Sequence, residues 1–155
     1  MSAIAPLAPE DHDEWMPLWR AYLEFYETEL TDAQNELTFA RLVSADDAVH
    51  GALIRDEAGA ALGFVHWLTH PSTWSDGPYC YLEDLFVHPD ARGTGAGESL
   101  IAHVREWARE NGSPKVYWLT QRTNARARRL YDRVAVDTGF VHYEIDLEVS
   151  GGSAS

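Results

Sequence analysis

A strand pattern in this sequence runs directly into a glycine-rich loop, and the loop runs into a helix pattern. Residues 79–87 are mostly apolar and aromatic, which predicts a strand. Residues 92–97 read Arg-Gly-Thr-Gly-Ala-Gly, and apolar residues then recur at helical spacing to about residue 111. Glycines let a backbone approach a ligand closely, and the N–H groups that open a helix attract anions. The order therefore predicts either a pyrophosphate pocket or a plain strand-to-helix turn.

The spacing of these glycines separates the loop from two common nucleotide motifs. They follow G-x-G-x-G, whereas the dinucleotide fingerprint is G-x-G-x-x-G near the start of a βαβ unit. The P-loop needs a Lys after its last glycine, and here Glu98 follows instead. The choice between a pocket and a turn therefore depends on the rest of the chain.

Length and charge limit the classes of protein that fit. The chain has 155 residues, which suits one domain, expected over residues 1–149 with a flexible tail at 150–155. The net charge is −13, which argues against nucleic acid as a partner and favours cationic ones. Cys80 is the only cysteine, so no internal disulfide can form, and no metal site is expected.

The first residues of the chain give no targeting signal. They carry no basic segment and no long apolar run, and Glu10 and Asp11 follow soon after. A secretory signal peptide is therefore not predicted, and no stretch has the length of a membrane span. We expect a cytoplasmic protein that does not bind membranes.

The periodicity of the chain predicts alternating strands and helices. The expected order is β-α-α-β-β-β-α-β-α-β, which suits a mixed sheet with helices on its faces. Residues 71–78 are expected to form a loop. The predicted strands cover about 4–7, 49–55, 61–68, 79–87, 115–120 and 139–147, and the predicted helices about 10–29, 31–42, 97–111 and 124–136.

Several separated segments together resemble the GCN5-related N-acetyltransferases. The segments are Leu-Glu-Asp-Leu-Phe-Val at 82–87, Arg-x-x-Gly-x-Gly at 92–97, the helix from Asn124 to Tyr131, and Thr-Gly-Phe at 138–140. The first is similar to the spermidine/spermine acetyltransferases, and the second resembles the acetyl-CoA signature of the whole family. The last two, together with Val-Tyr-Trp-Leu-Thr at 116–120, are most similar to the histone- and polyamine-acetylating branch. The resemblance implies an α/β (α+β) fold. Its central sheet would be mixed and mostly antiparallel, with a parallel pair splayed at the cofactor site and about four flanking helices.

The resemblance also implies acetyl-CoA as co-substrate and a set of residues that bind it. Main-chain groups of the strand would pair with the pantetheine arm, and N–H groups of residues 93–98 would hold the pyrophosphate. Asn124 would bind the pantetheine region or fix the start of its helix. The expected cofactor-binding residues are Leu85, Phe86, Val87, Arg92, Gly93, Thr94, Gly95, Ala96, Gly97, Glu98 and Asn124.

Acetyl transfer to an amine implies a base and an acid. At pH 7 only about one alkylamine in a thousand is neutral, so a base is useful. The resemblance implies Glu83 as this base, acting directly or through water; alternatively it only attracts a cationic substrate. Asp84 is expected on the opposite face of the strand unless a bulge exchanges the two. Tyr131 is implied as the acid that protonates the departing thiolate, and a backbone N–H of Leu85 or Phe86 could stabilise the thioester oxygen.

The acceptor side of the site is less defined by the sequence. Trp15, Trp19, Tyr22 and Tyr26 share one face of the first helix, which favours a core role. Some of them could instead bind an ammonium group through cation–π contacts, so Trp19, Tyr22 and Tyr26 join Glu83 as expected substrate-binding residues. His66 is a weaker candidate for contact with substrate.

The leading hypothesis is acetylation of a small cationic amine such as a polyamine. Acetylation of protein lysines or N-termini is a second hypothesis, and a regulatory CoA-binding module without turnover is a third. A homodimer is expected, because the C-terminal strand pattern could leave an edge that a second chain completes.

Overall fold

The computed structural model describes residues 2–149, which form one five-stranded sheet and four α-helices. The strand order is β1-β2-β3-β4-β5, so each strand lies beside its neighbours in sequence. The first three pairs are antiparallel, and only β4 and β5 are parallel. The strands are β1 (Ala3–Pro6), β2 (Val49–Arg55), β3 (Ala61–Ser72), β4 (Ser75–Val87) and β5 (Val116–Tyr117). The helices are α1 (His12–Phe25), α2 (Asp32–Val43), α3 (Ala96–Glu110) and α4 (Ala125–Val134).

The chain divides into two compact units between Trp118 and Leu119. The first unit contains the whole sheet together with α1, α2 and α3. The second contains α4 and the segment that follows it. The single domain expected over residues 1–149 stays a prediction, and the expected tail at 150–155 lies outside the described residues.

Local sequence signals account for the helix starts. The Thr31 hydroxyl accepts a hydrogen bond from the N–H of Gln34 at 3.1 Å, which caps α2. The Asn124 side-chain oxygen accepts from the N–H of Ala127 at 3.3 Å and caps α4 in the same way. Asn124 therefore fixes the start of α4, which is one of the two roles expected for it.

The two faces of the sheet have separate cores. Helices α1 and α2 cover one face, where Trp15 and Phe64 are fully buried together with Leu53. Helix α3 covers the other face, where Trp67 of β3 contacts Trp107 edge-on at 5.6 Å. Burying side chains of this size contributes about 2–3 kcal/mol each before the entropy cost of ordering them. Both faces therefore hold β3 and β4 firmly, and these strands carry the candidate site.

Three of the predicted elements were wrong in extent or existence. Residues 71–78 do not form a loop, because β3 and β4 extend to Ser72 and Ser75 and meet as a hairpin. The strand expected at 115–120 contains only two residues. The strand expected at 139–147 is absent from the described residues, none of which is assigned to a strand after α4. Its apolar pattern suits a strand, but in this single chain no neighbouring strand pairs with it.

Candidate functional site

A β-bulge interrupts the β3–β4 ladder at the most informative part of the sequence. Asp84 pairs with His66, and Leu82 pairs with the next residue of β3, Trp67. Glu83 is therefore the extra residue, with no residue opposite it on β3. The bulge turns Asp84 to the α1 face, where the side chain of His66 lies, whereas Leu82 faces α3. The alternative foreseen from the sequence, a bulge at this point, is present.

Beyond the bulge, one edge of β4 lies open. The parallel pairing with β5 involves only Cys80 and Tyr81 of β4, which continues to Val87. The N–H of His88 bonds back toward β3, to the carbonyl of Leu62 at 2.7 Å. Because backbone groups alternate along a strand, those of Leu85 and Val87 point away from β3, toward the open edge. No described strand pairs with β4 on this side after Tyr81, so these groups can receive an extended ligand.

The glycine loop after β4 forms an open cradle at the start of α3. Gly93 and Gly95 have φ values of +81° and +85°, a conformation that favours glycine. A Cβ added at either position would meet no atom within 4 Å, so the space above both is free. Gly95 is the N-cap of α3 and provides no side chain to cap the helix. The first N–H groups of α3, from Ala96 on, thus open toward this space.

The charge at the cradle suits an anion. Arg92 is exposed, and within residues 2–149 it has no carboxylate partner. Thr94 is held in place, since its hydroxyl donates to the carbonyl of Ala91 at 2.5 Å. A positive side chain and a helix N-terminus next to one open space attract phosphate groups. The structure therefore brings together the loop residues that the sequence assigned to a pyrophosphate.

On the α1 face, Asp84 is part of a hydrogen-bonded group of side chains. Its Oδ1 accepts from the Tyr22 hydroxyl at 2.8 Å, and its Oδ2 lies 2.9 Å from Nδ1 of His66. The Nε2 atom of His66 accepts from the indole N–H of Trp15 at 3.0 Å. His66 is buried, whereas the side chain of Asp84 keeps 17% of its surface exposed. The carboxylate of Asp84 therefore lies between a buried network and solvent.

Desolvation, together with the negative charges of β4, raises the pKa of three groups in this region. Desolvation raises the pKa of Glu83 above its ordinary value, and the charge of Asp84 adds to this increase. Desolvation also raises the pKa of Tyr26 and Tyr81, with further contributions from Asp84 to the first and from Glu83 and Asp84 to the second. A carboxyl with a raised pKa binds protons more readily, as a general base must.

An open groove of about 900 Å³ lies at the end of α1 and the loop to α2. Glu24, Glu27 and Glu29 line it, and Arg20, the only cation among its lining residues, is paired with Asp32 at 3.3 Å. This lining gives the groove a net negative charge, which attracts cations.

The aromatic residues of α1 divide between the core and the site. Trp19 is 7% exposed, and its indole N–H donates to the buried Asn35 at 2.9 Å, so its position favours a core role. Tyr22 is half-buried and bonds Asp84, and Tyr26 is 39% exposed. Of the three expected substrate contacts on α1 and at its C-cap, Tyr22 and Tyr26 are the ones that solvent reaches.

The second unit contains the two remaining predicted site residues. Tyr131 is a half-buried residue of α4, and Asn124 caps the same helix. Asn124 precedes the helix with a non-helical ψ of 70°, so its side chain turns to the first N–H groups of α4, whereas Tyr131 lies within the helix. The role of Tyr131 as an acid stays a prediction.

Sequence reasoning gave little weight to the two residues that the bulge brings together. His66 and Asp84 lie 18 positions apart on neighbouring strands, and His66 was only a weak candidate for substrate contact. The signal in the sequence was the pair of adjacent acids at 83 and 84, which a bulge can place on either face.

Neither a metal centre nor a membrane span emerges from the described part of the chain. Between residues 2 and 149, no three His, Cys, Asp or Glu side chains are grouped so that they could hold a metal ion. In the same range, no helix combines the length and the apolar composition needed to cross a bilayer.

Comparison with known proteins identifies the family. Residues 13–135 match the model of the acetyltransferase (GNAT) family. The chain belongs to this family. It is 38% identical over 142 residues to the D-amino-acid N-acetyltransferase HPA3 of Saccharomyces cerevisiae, covering 91% of this chain and 88% of the relative. It is also 30% identical over 134 residues to a thialysine N-epsilon-acetyltransferase of Caenorhabditis elegans, covering 84% and 80%.

The fold agrees with this family assignment. A crystal structure of a probable acetyltransferase superposes with a TM-score of 0.83 at 23% identity, covering 95% of this chain and 99% of the other. The mixed sheet with its parallel pair and four helices is the GNAT fold, as predicted from the sequence. The protein is therefore a GNAT N-acetyltransferase; the comparisons do not single out the spermidine or histone branch.

Proposed function

We propose that this N-acetyltransferase transfers the acetyl group of acetyl-CoA to the primary amine of a small cationic, polyamine-like acceptor by direct attack in a ternary complex. The acidic groove at the end of α1 is the observation that supports a cationic acceptor. Three glutamates line it, and its one arginine is already paired. The net charge of −13 would also speed the approach of a cation.

The cradle and the open edge of β4 support acetyl-CoA as the co-substrate. The free space above Gly93 and Gly95 and the uncapped start of α3 suit a pyrophosphate, and Arg92 adds a positive charge. Residues 93–98 would contribute N–H groups to it. Leu85 and Val87 would pair through their main chain with the pantetheine arm. Because the backbone alternation turns Phe86 toward β3, Leu85 is the better N–H donor to the thioester oxygen.

The chemistry needs three proton movements, two from the nitrogen and one to the thiolate. Acetyl-CoA supplies a thioester whose carbonyl carbon is open to attack by an amine. Glu83 accepts a proton from the ammonium group, directly or through water, which leaves a neutral amine as nucleophile. The amine nitrogen bonds to the carbonyl carbon as the carbon–sulfur bond breaks, and the nitrogen releases its second proton to water, which leaves the neutral amide. The phenol of Tyr131 gives its proton to the departing thiolate and is later reprotonated from solvent, to which Glu83 releases its proton.

A free amino acid is a second candidate acceptor. The relatives named for D-amino-acid and thialysine acetylation favour it. An amino acid also carries a carboxylate, which needs a cation. Arg20 lines the acidic groove and could exchange Asp32 for that carboxylate.

A thiol-release assay with acetyl-CoA and a panel of amines would decide between these acceptors. The panel contains spermidine, thialysine, D-amino acids and a lysine-containing peptide. We expect the highest kcat/KM with spermidine. Selective turnover of D-amino acids or thialysine would support the second candidate, and turnover of the peptide alone would indicate a protein substrate. No turnover of any amine, or no thermal shift with saturating acetyl-CoA, would contradict the proposal.

We also propose that two copies of the chain form a homodimer through the segment after α4. Val141, Tyr143, Ile145, Leu147 and Val149 alternate with polar residues and are 54–88% exposed. Such a pattern is typical of a strand that lacks a partner, and a second copy would supply one. Sedimentation at micromolar concentration should show a dimer, and Ile145→Asp should shift it toward monomer. A monomer in the wild type would contradict this. The cytoplasmic location stays a prediction that cell fractionation would test.

A further inference from the structure

The hydrogen bonds around His66 determine which of its nitrogens carries a proton. An indole N–H is only a donor, so Nε2 of His66 must accept the bond from Trp15. The ring is then neutral with its proton on Nδ1, and this proton faces Oδ2 of Asp84 at 2.9 Å. If both nitrogens of the His66 ring carried protons, the N–H at Nε2 would face the indole N–H of Trp15, and the hydrogen bond between them would be lost. The buried indole thus locks His66 as the Nδ1–H tautomer.

The same bonds hold Asp84 as an oriented carboxylate. Oδ1 accepts from the Tyr22 hydroxyl at 2.8 Å, while Oδ2 accepts from His66. Each oxygen keeps a further lone pair, and the side chain is 17% exposed. Within residues 2–149, no Lys or Arg forms an ion pair with Asp84. A half-buried carboxylate with neutral donors is incompletely compensated and favours a cation on its open side.

In the part of the chain that the structure describes, the groups shown to interact with Asp84 are aromatic, phenolic or acidic. From α1, Trp19 contacts the His66 ring with centroids 5.5 Å apart. The charge of Asp84 contributes to the raised pKa of Tyr26, Tyr81 and Glu83, so these three groups lie close to it. The faces of the phenol rings attract a cation, and they do not attract a carboxylate.

We propose that Asp84 binds the ammonium group of the acceptor, and that His66, locked by Trp15, is a positioning residue that fixes the Asp84 carboxylate toward it. This inference rests on the proposed amine acetylation and adds the residue that recognises the amine. Glu83, displaced by the bulge, is left to accept the proton. The two adjacent acids thus have separate tasks, binding for Asp84 and proton transfer for Glu83.

Steady-state kinetics with the best amine of the panel would test the binding role of Asp84. We expect Asp84→Asn to raise KM for the amine by about tenfold or more while KM for acetyl-CoA changes less than about twofold. The matched control is Asp76→Asn, which removes one charge from the same strand at an exposed position and should leave both constants unchanged. An unchanged KM for the amine in Asp84→Asn, or an equal rise in both constants, would overturn the proposal.

Nuclear magnetic resonance of protein with ¹⁵N-labelled histidine would test the positioning role without relying on activity. At pH 7 the wild type should show His66 as the Nδ1–H tautomer. Trp15→Phe should give a tautomer mixture and a higher KM for the amine. Tyr22→Phe should leave the tautomer intact, which keeps the test valid if Trp15→Phe fails to fold. An Nε2–H tautomer in the wild type would refute the lock.

These outcomes separate the inference from the proposed function. If the wild type acetylates no amine, the proposed function fails, and the tautomer measurement still reports on the lock. If the wild type acetylates an amine and Asp84→Asn affects it no more than Asp76→Asn does, only the role of Asp84 fails.

Discussion

Gly63 of β3 is a position where one added methyl group should damage the site from a distance. Gly63 pairs with Val87, and a Cβ there would overlap the backbone carbonyl oxygen of Phe86 and approach Val87 Cα to 3.1 Å. Both contacts are backbone, so no side chain can rotate away, and β4 must move. Overpacking of this kind costs about 1–3 kcal/mol. A chain of this size should lose roughly 2–4 °C in Tm per kcal/mol, hence about 4–8 °C for 2 kcal/mol.

The displaced segment is also the one proposed to bind the pantetheine arm. Gly63→Ala should therefore raise KM for acetyl-CoA as well as lower Tm. Gly59→Ala is the matched control, because Gly59 lies in the turn before β3 with φ +87° and open space around it. The control should cost about 1 kcal/mol through backbone strain and leave KM unchanged. A Gly63→Ala protein with the Tm of the wild type and its KM for acetyl-CoA would show that neither quantity depends on the close approach of β3 and β4 at this position.

Three further residues give predictions on pH, reactivity and strain. The raised pKa of Glu83 means that the folded state holds its proton more tightly than the unfolded state, so its contribution to stability is greatest at low pH and falls as pH rises through the raised value. The Tm of Glu83→Gln minus the Tm of the wild type should therefore increase from pH 4 to pH 7. A difference that does not change with pH would contradict this. Cys80 is fully buried and desolvation raises its thiol pKa to about 11, so a disulfide reagent at pH 8 should label it only after denaturation. Labelling of the native protein at the denatured rate would show that it is accessible. Glu27 has φ +53° just after α1, so Glu27→Gly should stabilise the protein by about 1 kcal/mol, measured by urea unfolding, and a loss of stability would refute the strain.

Features that depend on neighbouring residues could be read from the sequence. The strand at 79–87, the glycine loop and the start of α3 follow from local composition, and β4 and α3 contain them. Thr31 and Asn124 precede helices that they cap, because a cap bond spans only three residues. The motif at 92–97, together with the segments at 82–87, 124–131 and 138–140, also pointed to the family, since each of them is a short continuous segment.

Features that depend on distant pairing were decided by the tertiary structure. The bulge at Glu83 exists because β3 and β4 pair in a register that leaves this residue unopposed, and a strand pattern alone cannot fix that register. The same register brings His66 to Asp84, while the packing of α1 adds Trp15 and Tyr22. The apolar alternation after Gly139 predicted a strand, but a strand forms only by pairing with a neighbour, and no described residue after α4 is paired in a strand. The sequence by itself thus determined the family and the cradle for the co-substrate, whereas the register and the packing of α1 decided which carboxylate lies where the acceptor is expected to bind.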